Sequence, residues 1–136
     1  MNVEEAYARL TNSCARKEMC KQDVYKWMFK FNVPKDKHDE IIEKLVKEGF
    51  VDEYRFSCAF ANDNLKYSKW GERKIAYYLR SKNIDESNIE AAIAQLDSQL
   101  YEEIKNKLAE AKRRVLPADD PNVEAKVASY LYGRGF

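Results

Sequence analysis

The stretch Gly49-Phe50-Val51-Asp52-Glu53-Tyr54-Arg55-Phe56 closes one helical pattern and opens the next. Gly49 follows an amphipathic run and reads as a helix stop, because glycine enters the left-handed conformation without a side-chain penalty. Phe50 and Val51 are apolar and tuck the connection into a core. Asp52 is a good N-cap, since its carboxylate accepts from the free backbone N–H groups of a first turn. Arg55, three residues on, is placed to reach back to Asp52 as an ion partner. A unit of roughly fifty residues therefore ends here, and the pattern that follows looks like the same unit again.

Outward from this hinge, apolar residues recur at helical spacing and no strand alternation is found, so the chain reads as all-α. Helices are expected over residues 3–16, 21–31, 35–47, 52–66, 71–82, 85–96, 97–115 and about 121–132. Val24, Trp27, Met28 and Phe31 form the inward stripe of the second. Ile42, Leu45 and Val46 point inward from the third, with His38 part-exposed near its start. The fifth packs Ile75, Tyr78 and Leu79, and the seventh packs Tyr101, Ile104, Leu108, Ala111 and Val115. Pro34 ends the second helix because it lacks an N–H and disfavours helix in the residue before it.

Laying the chain on itself sharpens the division. Val24, Trp27, Met28 and Val33 precede Ile75, Tyr78, Leu79 and Ile84 by 51 residues, and these precede Val127, Tyr130, Leu131 and Phe136 by 52. Ile42 and Leu45 match Ile93 and Leu96 at the same offset of 51. The expectation is tandem three-helix repeats in an elongated, curved array: residues 1–51, 52–97 and 98–136, the third lacking its last helix. Units this small are weakly stable alone and gain by stacking on neighbours. With that helix missing, Val127, Tyr130 and Leu131 should be partly exposed. The radius of gyration should exceed the about 14 Å of a compact chain of this size.

Composition narrows the chemistry. The 136 residues carry 24 Lys and Arg against 23 Asp and Glu, a net charge of +1, so no general coating of DNA is implied. No apolar run approaches the ~20 residues of a membrane span, and no signal peptide is seen, which reads as a cytoplasmic protein. Cys14, Cys20 and Cys58 are too few and too scattered for a disulfide framework; Cys14 and Cys58 sit on apolar helix faces as small core residues. With His38 the sole histidine, neither a metal site nor a cofactor is expected. No phosphate-binding loop, nucleophile–histidine arrangement or HExxH motif occurs, so the chain reads as a non-enzyme with no catalytic residue.

Four stretches resemble one family, the RecX proteins. The hinge through Phe56 is similar to its apolar-Asp-Asp-x-Arg-Phe-Ala signature. Trp70-Gly71-Glu72-Arg73-Lys74-Ile75 with Leu79 is similar to its aromatic-Gly-x-x-Arg-Ile…Leu segment. Lys82-Asn83-Ile84-Asp85 resembles its Lys-Gly-Ile-Asp joint, and Lys126 through Leu131 to Arg134-Gly135-Phe136 its Lys-x-x-x-x-Leu-x-x-Arg-Gly-Phe. Glu53, Ser57 and Asn83 depart from the pattern, Asn83 mildly because asparagine also tolerates left-handed backbone. Members normally run on through one more helix, so C-terminal partner contacts are expected to be missing here. The resemblance implies a monomeric, non-enzymatic modulator that lies in the groove of the RecA–DNA filament and restrains its recombinase and coprotease activities in DNA repair and the SOS response. It also implies that Asp52, Arg55, Phe56, Gly71, Ile75 and Leu79 make the fold rather than the contact.

Candidate partner or DNA contacts come from charge and exposed aromatics. Lys66, Lys69, Arg73, Lys74, Arg80 and Lys82 surround the fifth helix, where Arg73, Lys74 and Arg80 avoid its apolar stripe, and Tyr67, Trp70 and Tyr77 are interleaved with them. Lys105, Lys112 and Arg113, beside Lys107 and Arg114, form a second cluster on the seventh helix, and Arg134 lies near the end. Such a strip suits an acidic filament surface or the phosphates of single- or double-stranded DNA. Two other readings stay open: a direct DNA-binding helical repeat protein, and a general helical scaffold for another protein.

Overall fold

A computed structural model describes all residues, Met1–Phe136, and contains helices and turns with no strand. The helices are α1 (Val3–Arg16), α2 (Lys21–Lys30), α3 (His38–Lys47), α4 (Glu53–Asp63), α5 (Glu72–Ser81), α6 (Glu86–Ala94), α7 (Ser98–Val115) and α8 (Val123–Gly133). A single 3₁₀ turn, Lys35–Lys37, leads into α3, and a π turn, Asn64–Ser68, extends α4.

Side-chain caps start several helices where short polar residues stand. Asn2 accepts from the N–H of Glu5, Asp52 from that of Arg55 and Asp97 from that of Leu100. The ends of α2, α5 and α8 are more informative. Asn32, Asn83 and Gly135 all take positive φ, at 55°, 60° and 96°. The next residue in each case, Val33, Ile84 and Phe136, donates its N–H back to Met28, Leu79 and Leu131. This is the Schellman closure, with an apolar residue following the left-handed one. α3 closes the same way, with Gly49 at φ 80° and the Phe50 N–H donating to Leu45, and the other three stand at the spacing read from the apolar pattern.

Two cores result. Ala6, Leu10, Cys14, Val24, Met28, Val33, Ile41, Ile42, Leu45 and Val51 fill the first, among α1, α2 and α3. The second gathers Phe56, Ala61, Leu65, Ile75, Ala76, Leu79, Ile84, Ile89 and Ala92 from α4, the π turn, α5 and α6, together with Cys20 from the preceding segment. Leu100, Tyr101 and Ile104 of α7 and Phe136 pack on that second core rather than enclosing a third. Only Ala109 and Val127 are buried within α7 and α8. The accessible surface is 8739 Å² for 16.0 kDa, against about 7400 Å² for a compact monomer, as an extended arrangement requires.

Several local expectations are corrected. Phe31, Val46, Tyr78, Ala111 and Val115 are exposed rather than inward, because ten-residue helices bury only a narrow stripe and the far end of α7 is covered by α8 alone. Phe31 instead lies beside Trp27, with ring centroids 4.6 Å apart. His38 is buried, its Nε2 2.9 Å from the Val33 carbonyl. Val127 is buried and only Tyr130 and Leu131 are half-exposed. Cys58 is half-buried, whereas Cys20, at the head of α2, is fully enclosed.

The hinge holds one further correction. Asp52 caps α4 by accepting from the Arg55 backbone N–H, but the Arg55 side chain turns away from it. Arg55 Nε meets both carboxylate oxygens of Glu18 at 2.9 and 2.7 Å, and its terminal nitrogen donates to the carbonyls of Gly49 and Phe50. Arg55 thus ties the end of the first unit to the start of the second across the connection.

Candidate functional site

Around α5, the carboxyl-terminal turn Arg134-Gly135-Phe136 docks on the segment Ser68-Lys69-Trp70-Gly71. The Gly71 N–H donates to the Arg134 carbonyl at 2.8 Å and the Arg73 N–H to that of Gly135 at 3.1 Å. A Cβ on Gly71 would lie 2.4 Å from the Gly135 carbonyl carbon, so the two segments meet this closely only because glycine stands there. The π turn makes the receiving edge. It ends with Lys69 in left-handed backbone at φ 57°, and the Arg134 guanidinium donates to the carbonyls of Ser68 and Lys69. Tyr101 completes the lock: its hydroxyl accepts from the Glu72 N–H at 3.0 Å and its ring lies 5.0 Å from that of Phe136.

Beside this lock runs a groove between α5 and α6 of about 580 Å³, floored by Ala76, Ile89 and Ile93 and rimmed by Glu72, Arg73, Tyr77, Arg80 and Glu90. It opens at Arg73 into a second hollow of about 490 Å³ that reaches Tyr101, Glu102, Lys105 and Phe136. A third, of about 420 Å³, lies across α5 between Tyr77, Tyr78 and Tyr132. Arg73 borders all three. Its guanidinium is already engaged, donating to the Tyr132 carbonyl at 2.7 Å and lying 3.7 Å from the Tyr132 ring centroid. An apolar floor with charges of both signs on the rim suits an amphipathic protein surface better than a bare polyanion.

The structure brings together only part of the predicted strip. Arg73, Tyr77, Arg80 and Lys105 line the joined hollows, with Tyr77 64% exposed. Arg80 forms a two-point ion pair with Glu86, and the pair holds the Glu86 carboxyl below the usual range. Lys74 is half-buried and sits 4.9 Å from the Trp70 ring, which itself stacks on Tyr78 at 4.8 Å. Trp70 is therefore packing, not a free contact. Lys82 is paired with Asp23 at 3.0 Å and Arg113 with Glu124 at 2.9 Å, and Arg134 is spent on the π turn. Lys66, Lys69, Lys112 and Tyr67 make no ion pair and line none of these hollows; Tyr67 is 70% exposed. Asp52, Arg55, Phe56, Gly71, Ile75 and Leu79 all serve capping, docking or packing.

No helix is long and apolar enough to cross a membrane, and no group of His, Cys, Asp or Glu is placed to hold a metal. Sequence reasoning missed Glu72, Glu90, Ile89 and Ile93 as groove residues. Glu72 stands next to Arg73 in the sequence, whereas Ile89, Glu90 and Ile93 reach the groove only because α6 packs against α5.

Comparison with known proteins is consistent with this architecture. Residues 52–93 match the family model for the RecX second three-helix domain. The regulatory protein RecX of Limosilactobacillus reuteri (strain DSM 20016) is 25% identical over 133 residues, 97% of this chain and 50% of that protein. That of Clostridium tetani is 28% identical over 101 residues, 72% of this chain and 46% of its own length. The chain thus spans about half the length of these curated relatives. The crystal structure of RecX from Lactobacillus salivarius superposes with a TM-score of 0.86 at 21% identity, covering 98% of this chain and 88% of that one. Another crystal structure of regulatory protein RecX gives 0.86 at 24% identity, covering 98% and 66%. At these identities the superpositions establish the fold.

Proposed function

We propose that the chain is a member of the RecX family of regulatory proteins and, from that premise, that it modulates RecA without catalysing a reaction of its own. It lies as a cytoplasmic monomer in the groove of the RecA–DNA filament and restrains strand exchange and coprotease activity during repair and the SOS response. Residues 1–51, 52–97 and 98–136 act as successive units laid along the filament. The single observation that carries this reading is the run of hollows meeting at Arg73. It offers an apolar floor and a mixed-charge rim on a rigid element, continuous over two units. Such a surface buries a partner's side chains and fixes their register.

Tyr77 is the best probe, because it is exposed and borders the groove without holding the C-terminal turn. Tyr77→Ala with Arg80→Ala should weaken co-sedimentation with RecA filaments, formed on single-stranded DNA with a nucleotide, by about tenfold or more. Relief of RecA strand exchange should follow in the same titration, with the far-UV spectrum unchanged. Wild-type association by this double variant would remove the groove from the interface.

A further inference from the structure

The repeat relates the α5–α6 groove to a second one that the strip of cations did not include. Tyr25, Lys26, Phe29, Lys35 and His38 line a hollow of about 370 Å³ between α2 and α3. At the 51-residue offset they correspond to Ala76, Tyr77, Arg80, Glu86 and Ile89, so the same place in the fold is lined twice by different chemistry. In the second unit Arg80 and Glu86 neutralise each other. In the first, Arg80 is replaced by a phenyl ring and Glu86 by a lysine.

The result is a cationic hollow with an uncovered aromatic ring. Phe29 is 81% exposed, the most exposed of the large apolar side chains, and Tyr25 beside it in the hollow is 39% exposed. Lys26 and Lys35, which line it, are exposed and have no acidic partner within ion-pair distance, whereas the Lys30 ammonium lies over the Phe31 ring at 5.5 Å. Of the three acids on α3, Asp39 is occupied by the Tyr25 hydroxyl at 2.6 Å, Glu40 lies beside Lys37, and Glu43 stands near enough to the Tyr25 hydroxyl to help raise its pKa. No acid lines the hollow itself.

We propose that this α2–α3 groove binds single-stranded nucleic acid, with a base stacked on Phe29 and the flanking phosphates on Lys26 and Lys35. A ring open to solvent with lysines on both sides meets the two faces of an unpaired nucleotide, one flat and apolar and one anionic. A duplex would offer the phosphates without a free base. An acidic protein segment would use the lysines and leave Phe29 idle.

The test is fluorescence anisotropy of a labelled oligothymidylate titrated with the full chain at low salt, in the absence of RecA. Saturable binding is expected, with a dissociation constant on the order of 10⁻⁵ M. Phe29→Ala should weaken it about tenfold, and Phe29→Trp should restore it. Lys26→Ala with Lys35→Ala should flatten the log–log salt dependence by about 0.7 for each phosphate left without its lysine. Phe29 and the lysines are exposed, so the variants keep the fold, checked by thermal melting. Absent binding, binding indifferent to Phe29, or equal affinity for an abasic strand or a duplex would each overturn the proposal.

Discussion

At the first seam of the array, the turn after α5 meets the head of α2 through side chains. At the second, the turn after α8 meets the head of α5 through backbone. The placement is nearly the same in repeat terms. Gln22 Nε2 donates to the Ser81 carbonyl in the first, and Arg73 to the Tyr132 carbonyl in the second, again from the second residue of a helix. The cap residues differ: Cys20 heads α2 and Gly71 heads α5. Cys20 sends its thiol into the second core, so the incoming turn stands off, and Lys82 reaches across to Asp23. Gly71 has nothing to send, so the turn comes down onto the backbone itself. The contrast teaches that one docking geometry accepts either a filled or an emptied contact, provided cap and turn match each other.

The largest expected effect tests that matching. Gly71→Ala puts a methyl against the Gly135 carbonyl and should cost the second seam about 3 kcal/mol. Hydrogen exchange should then rise throughout α7 and α8 while α1 to α3 keep their protection. A uniform loss across the chain would mean that the seams are not separable.

A smaller effect is expected from the filled seam. Cys20→Ala leaves a void where the thiol was buried and should cost about 1–2 kcal/mol in urea unfolding. Burial also pushes the Cys20 thiol up to about 11, so it should resist alkylation at pH 8 while the half-buried Cys58 reacts. Fast labelling of Cys20 in the native protein would show that the first seam opens readily.

The smallest effect is a pH dependence. Burial alone would raise the Asp23 carboxyl, but the Lys82 hydrogen bond, the Cys20 N–H and the Lys82 charge outweigh it and hold it below its usual value. A carboxyl depressed in the folded state stabilises above its unfolded pKa of about 3.8, and that contribution fades as pH falls through the folded value. Glu53 works the other way. Burial raises its carboxyl, so its contribution is lost as pH rises through that raised value. Asp23→Asn should therefore reduce stability at pH 7 by about 1 kcal/mol after screening, and leave it nearly unchanged well below pH 4. Equal losses at both pH values would assign the effect to packing rather than charge.

The fold was largely legible because apolar spacing is a local signal and the same turn closure follows it after α2, α5 and α8. Met28, Leu79 and Leu131 could be aligned without knowing that each accepts the same turn-closing hydrogen bond. The site was less legible because the fate of a charge depends on what arrives from far along the chain. Arg134 looked free until the π turn supplied a carbonyl 65 residues away, and Lys82 until Asp23 supplied a carboxylate from 59. Phe29 went unnoticed for the opposite reason. Its neighbours Trp27 and Phe31 were counted as core, and an aromatic helix face gives no local sign of which ring is left in water.

Arg73 carries one consequence beyond stability. The same guanidinium borders the groove and clasps the carbonyls of Tyr132 and Phe136. An anionic group that draws it toward the groove does so by releasing the terminal turn. By reciprocity, a loosened turn frees the guanidinium for an incoming carboxylate or phosphate. Occupancy of the hollow and release of the terminal turn would then be two readouts of one equilibrium, and a probe on α8 would report a ligand it never touches.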